Sequence, residues 1–99
     1  MLRPMVPAAE FEKYGFKQCK GKRYENCYYL CVARDCVMLF VSDVCFDIFC
    51  WNEADPRIHK KPNCRYRDKR DWLDIVYDLI KAELLESEHE ARQNEHKKS

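Results

Sequence analysis

The most constraining feature is a central pair of apolar segments, Cys27–Ala33 and Val37–Ser42, separated only by Arg34-Asp35-Cys36. Both are rich in Tyr, Val, Leu and Phe, which favour a pleated, half-buried surface, and the connection is too short for anything but a tight turn. They predict an antiparallel hairpin. Polar alternation is weak in both segments, so the sheet is expected to have one face fully covered and the other partly. Phe46–Trp51 also alternates, with Asp47 outward. Ser42 or Asp43 could equally cap a short helix there, but the strand reading is preferred.

Flanking elements follow from capping chemistry. Pro7 suits the first position of a short helix over 7–14, and Gly15 stands where a left-handed cap belongs. Phe16 is placed to pack back on Phe11. A short strand is expected near Phe16–Lys20, then a polar loop from Gly21 to Asn26. Residues 52–68 carry two prolines and few aliphatics and read as a long loop, a length often associated with function. A helix is expected over about 69–87, with Asp68 as N-cap and Asp71 in its first turn. Leu73, Val76, Tyr77, Ile80 and Leu84 recur at helical spacing, widened by Trp72, Ile75 and Leu79. The expected fold class is therefore α+β: a small antiparallel sheet of three or four strands, a long C-terminal helix and a short N-terminal helix. Residues 1–87 are expected to form a single domain, with 88–99 a charged, frayed or disordered tail.

Composition matters at three points. An aromatic share of 13% and a hydrophobic share of 46% support a packed core in only 99 residues. A formal net charge of +1 gives no global pull toward DNA or an anionic membrane. Seven cysteines raise a disulfide framework, but the number is odd, several lie in apolar runs, and no apolar leader is visible. Buried, reduced thiols in a cytoplasmic compartment are expected. No stretch approaches the ~20 apolar residues of a membrane span.

The strongest local signal is basic. Arg57, Lys60, Lys61, Arg65, Arg67, Lys69 and Arg70 face one acid, Asp68, so residues 57–70 carry +6 while 26–56 and 71–99 carry −4 each. Arginine grips phosphate or carboxylate in two-point fashion, and Tyr66 between two arginines can stack on a base. The bland alternative is a solvated loop balancing the acidic C-terminal segment. The candidate partner- or phosphate-binding set is Arg57, His59, Lys60, Lys61, Arg65, Tyr66, Arg67 and Arg70.

Other chemistry is weaker. Cys27-x₃-Cys31, Cys31-x₄-Cys36 and Cys45-x₄-Cys50 only graze zinc spacing, and residues four apart on a strand sit ~13 Å apart. No metal and no cofactor is expected. Cys64, beside Arg65, is the thiol whose pKa cationic neighbours would lower. The candidates for catalysis are His59, as a general base, and scattered carboxylates, but no second histidine or paired carboxylate stands at a recognisable spacing. No P-loop, dinucleotide, zincin or nucleophile-elbow motif is present. No enzyme activity is expected. Tyr28 and Tyr29 are adjacent on a strand, so at least one is expected to be exposed, hinting at a partner-facing or self-associating surface.

A helix ending in Gly15-Phe16, a small antiparallel sheet and a closing helix resembles the double-stranded-RNA-binding-like layout that HicA-type toxins share. Those toxins carry a Gly-Ser-His-type histidine on an early strand and this chain does not, so their activity is not carried over. Phe11-Glu-Lys-Tyr-Gly-Phe16, Tyr28-Tyr-Leu-Cys31, Asp55-Pro-Arg-Ile-His59 and Asn63-Cys-Arg-Tyr-Arg-Asp68 resemble runs in short, uncharacterised proteins of Firmicutes bacteriophages and mobile elements. The resemblance implies a binding protein of the host cytoplasm, an inhibitor or modulator of a host factor such as an anti-phage defence (CRISPR) effector. Its partner is expected to be a host protein or ribonucleoprotein. Direct nucleic-acid binding and sequestration of a small anionic nucleotide are the alternatives, and a homodimer is left open.

Overall fold

A computed structural model describes residues 2–64 and 71–87. In chain order the elements are β1 (Leu2–Pro4), a 3₁₀ helix (Ala8–Tyr14), β2 (Lys17–Gln18), a 3₁₀ turn (Lys22–Tyr24) and β3 (Tyr28–Val32). Then come β4 (Val37–Val41), β5 (Phe46–Cys50), α1 (Trp72–Lys81) and β6 (Leu85–Ser87). The main sheet is four-stranded and antiparallel in the order β2-β3-β4-β5, and β1 pairs with β6 in a separate two-stranded sheet. The α+β class and the central hairpin are as expected. In the hairpin, Leu30 lies opposite Leu39 and Tyr28 opposite Val41. The Phe46–Trp51 segment is a strand, with Asp47 exposed opposite Phe40.

Alternation along β3 and β4 builds two apolar layers rather than one. Tyr28, Leu30, Val32, Leu39 and Val41 join Phe11, Phe16 and Phe46 under Ile75, Val76 and Leu79 of α1. Tyr29, Cys31, Met38 and Phe40 form the other layer with Cys19 and Ile58. Every residue of β3 is buried. This explains the weak polar alternation: both faces are covered along the centre of the sheet. It also corrects the expectation of an exposed tyrosine, since Tyr28 and Tyr29 are 8% and 0% exposed.

The N-terminal helix is 3₁₀, and Pro7 is its extended cap (φ −55°, ψ 145°) rather than its first residue. Its exit is as expected. Gly15 takes φ 96°, its N–H donates to Glu12 O, and Phe16 N–H reaches back to Phe11 O. The two rings then meet edge to face at 5.4 Å. That contact seats the helix on the sheet.

The long C-terminal helix is the main correction. The helix is 10 residues, Trp72–Lys81, and its N-cap is Asp71, whose carboxylate accepts from Asp74 N–H at 2.9 Å. Asp68 and the rest of 65–70 lie outside the described residues, as does the 88–99 tail. The helix stops because Glu83 turns left-handed (φ 65°). Glu83 N–H donates to Ile80 O and Leu84 N–H to Leu79 O, the paired closure that a glycine usually makes. Leu84 and Leu85 still enter the core, but from beyond the helix, at the bend before β6 and at its first residue. Helical spacing therefore misassigned Leu84: burial was right, and the backbone that delivers it was not. The three-residue β1 has too little pattern to be read.

A left-handed non-glycine residue costs about 1–2 kcal/mol, and glycine would return part of that as chain entropy. Glu83→Gly is therefore expected to raise stability by about 1 kcal/mol, seen as a higher urea midpoint at unchanged slope. A lower midpoint would mean that the Glu83 side chain contributes more than the strain costs.

Candidate functional site

The site is built by the loop over 52–64, which must cover the second apolar layer. Its first half is a run of local turns. Asn52 Oδ1 accepts from Ala54 N–H at 3.0 Å, and Asp55 Oδ1 accepts from Arg57 N–H at 2.9 Å. These turns swing Ile58 into the layer beside Tyr29 and Phe40. The loop is then tied to the sheet at both ends. Lys20 N–H donates to Arg57 O at 2.8 Å, and Cys31 N–H donates to Asn63 O at 2.9 Å. The second tie uses an edge that β2 leaves open. At two residues, β2 ends before it can pair with the second half of β3, and Cys64 bridges Cys31 in parallel there.

Tyr29 and Asn63 make the closest junction. The fully buried Tyr29 sends its hydroxyl to the loop. Tyr29 Oη accepts from the N–H groups of His59 and Asn63 at 3.3 and 3.1 Å, and lies 2.8 Å from His59 Nδ1. The imidazole stacks on the Tyr29 ring at 5.8 Å. Asn63 Nδ2 donates to Gly15 O at 2.8 Å and to Tyr29 O at 2.9 Å, joining the helix exit, β3 and the loop.

The candidate residues divide. Arg57 is committed internally. Its Nε and one Nη grip the Asp55 carboxylate at 3.0 and 2.8 Å, and its guanidinium carbon lies 3.8 Å from the Phe40 ring centre. The Arg57 bond holds the Asp55 carboxyl below its ordinary range, and Asp55 in turn raises Arg57. This arginine covers the apolar layer rather than projecting from it. His59 is half-buried against Tyr29, and burial, then Lys17 and Lys20, hold its pKa below the ordinary 6.5. Lys60 and Lys61 are exposed. Arg65, Tyr66, Arg67 and Arg70 lie outside the described residues.

Lys17 and Lys20 belong to this site although they are distant in sequence. Both act on His59 electrostatically, and the Lys20 backbone is bonded to the loop. Exposed Lys17 and Lys20 thus act on His59 from one segment and exposed Lys60 and Lys61 follow it in the loop, with exposed Lys22 and Arg23 further along the first segment. The density of cations over 17–23 was a usable signal, but nothing in the sequence says which loop it meets. Tyr29 stood out only as one of two adjacent strand tyrosines and Asn63 only within a resemblance run, and nothing in the sequence says that the two meet.

Beside Arg57 lies a cleft of about 170 Å³ lined by Tyr24, Cys27, Phe40, Val41, Ser42, Cys45 and Asp47. It is smaller than the roughly 300–1,000 Å³ of ordinary small-molecule sites. Cys45 Sγ sits 3.3 Å from Ser42 Oγ and 3.5 Å from Asp47 Oδ2. Among the described residues, no group of three or more His, Cys, Asp or Glu side chains is placed to hold a metal ion.

The thiols also divide. Burial pushes the pKa of Cys19 and of Cys31 up to about 12. Cys64 is raised as well, because burial beside β3 outweighs the hydrogen bond from Ala33, so the expectation of a lowered pKa there is reversed. Cys36, Cys45 and Cys50 are exposed, against the expectation that the thiols in the apolar runs are buried. No helix among the described residues is long and apolar enough to cross a membrane. No family model, curated protein or solved structure matches the chain.

Two outcomes test this geometry. Asn63→Ala removes two side-chain donors and leaves Gly15 O and Tyr29 O short of partners, a loss of about 1–3 kcal/mol in urea unfolding. Brief iodoacetamide treatment of the folded protein at neutral pH is expected to label Cys36, Cys45 and Cys50. Cys19 and Cys31 should react only after unfolding, with peptide mass spectrometry reading the positions.

Proposed function

We propose that the protein is a non-catalytic binding protein that engages an anionic partner through the face carrying Lys17, Lys20, Lys60 and Lys61. The observation that carries this reading is that Lys17 and Lys20 act on His59 from a separate segment, while exposed Lys60 and Lys61 follow it in the chain, with His59 itself held toward its neutral form. Such a face attracts phosphate or carboxylate at long range and speeds encounter. Lysines grip as point charges without the geometric demand of arginine forks, which suits a broad partner surface.

His59 fits this reading better than that of a catalytic base. Its Nδ1 is engaged by Tyr29, and among the described residues the charged groups that act on it are the cations Lys17 and Lys20. The biological role proposed is inhibition or modulation of a host factor, such as a ribonucleoprotein effector of anti-phage defence. Support for that role comes from the sequence resemblance described above and from a cationic face suited to an acidic or nucleic-acid-bearing surface. Direct nucleic-acid binding is the second reading, because the same lysines suit a phosphate backbone. Sequestration of a nucleotide is less well supported, since the cleft beside Arg57 is only about 170 Å³.

Titration of labelled single- and double-stranded DNA and RNA at 50 and 200 mM salt separates the first two readings. Direct binding predicts affinity that falls steeply with salt, with a log–log slope reduced by about four when the four lysines become alanine. If all four nucleic acids fail to bind at low salt, the second reading is wrong. Capture of a host protein or ribonucleoprotein, lost when the same lysines become glutamate, is then the expected result. Capture that survives the charge reversal would remove this face from the function.

A further inference from the structure

Tyr29 is 0% exposed, and its hydroxyl hydrogen bonds converge on one loop. A phenol has one proton to donate and two lone pairs to accept with. The N–H groups of His59 and Asn63 use both lone pairs, so the phenolic proton must go to His59 Nδ1, 2.8 Å away. Nδ1 is therefore bare, and the neutral ring carries its proton on Nε2. The tautomer follows from counting donors and acceptors at one oxygen.

The same counting shows what an added proton would do. It would land on Nδ1, the only bare ring nitrogen, and turn the acceptor of the Tyr29 proton into a third donor aimed at a saturated oxygen. Either the phenolic proton loses its partner in a buried site, or a loop amide gives up its place. We propose that Tyr29, His59 and Asn63 form a proton-operated latch: closed while His59 is neutral, open when it is protonated, releasing residues 59–64 from β3. Because Lys60 and Lys61 ride on that segment, opening alters the cationic face. The latch itself does not rest on the function proposed above.

The surroundings favour the closed state near neutral pH. From β2 and the residues just after it, Lys17 and Lys20 act on His59, and both oppose a further positive charge. Lys60 and Lys61 are its chain neighbours. From β3 comes Tyr29, and behind that ring on β4 lies uncharged Phe40, at 6.1 Å. The folded protein protonates His59 less readily than the unfolded chain, whose histidine titrates near 6.5. The latch therefore contributes its full stability above about 6.5, and this is lost as pH falls toward the lowered folded value.

The test is amide hydrogen exchange by NMR on the full chain between pH 7.5 and 5, with rates corrected for intrinsic chemistry. Protection at the His59, Asn63 and Cys31 amides is expected to fall at least about tenfold, while the β3–β4 ladder keeps its own. The midpoint of the loss should coincide with the His59 ring titration in the same sample, and the ring at pH 7.5 should show the Nε2–H tautomer. His59→Gln, which retains His89 and His96, should abolish the pH dependence. Unchanged protection in the wild type, a loss that persists in His59→Gln, or a ring protonated on Nδ1 at pH 7.5 would each overturn the latch.

Discussion

Burial of β3 on both faces is the constraint from which the rest of the structure follows. A strand apolar at every position cannot be served by one helix. Alternate side chains need a second cover, and among the described residues α1 is the one α-helix, so it cannot provide it. The N-terminal 3₁₀ helix and α1 cover one face, and an irregular loop covers the other. A loop supplies few aliphatic groups, so Ile58 fills part of the layer and Arg57 covers Phe40 with a guanidinium neutralised by Asp55. Cationic faces pack well on aromatic rings, and pairing removes the cost of leaving the charge half-buried.

The same constraint accounts for the polar junction. An irregular loop laid over a sheet brings backbone amides that no ladder satisfies. Tyr29 Oη accepts two of them, from His59 and Asn63, the Asn63 carboxamide donates to the carbonyls of Gly15 and Tyr29, and the open half of the β3 edge receives Asn63 and Cys64. Here one tyrosine serves as core side chain and as anchor, so packing and loop geometry are coupled. The tie of Lys20 to Arg57 brings the segment of Lys17 and Lys20 beside the loop that carries Lys60 and Lys61.

Cation placement illustrates how sequence counting and structure diverge. Counted along the chain, Arg57 opens the basic segment. In space it lies half-buried over Phe40, paired with Asp55, and Lys17 and Lys20 join the site in its stead. Charge density is local in sequence, whereas function depends on which charges remain in solvent and which segments meet. Cys64 makes the same point: cationic chain neighbours argued for a lowered pKa, but burial against β3 decides the direction.

By itself the sequence determined the central hairpin, the β5 strand, the glycine exit at Gly15 with its Phe11–Phe16 contact, and the α+β class. Each depends on neighbours in the chain: side-chain periodicity, a short turn, a residue tolerant of positive φ. Only the tertiary structure decided the length of α1, which Glu83 ends against the helical spacing of Leu84, and the pairing of β1 with β6 across the whole chain. It also decided that the hydroxyl of Tyr29 meets His59 and Asn63, some thirty residues away. These depend on contacts whose partners are chosen by the shape of the core, and no local pattern of residues encodes that choice.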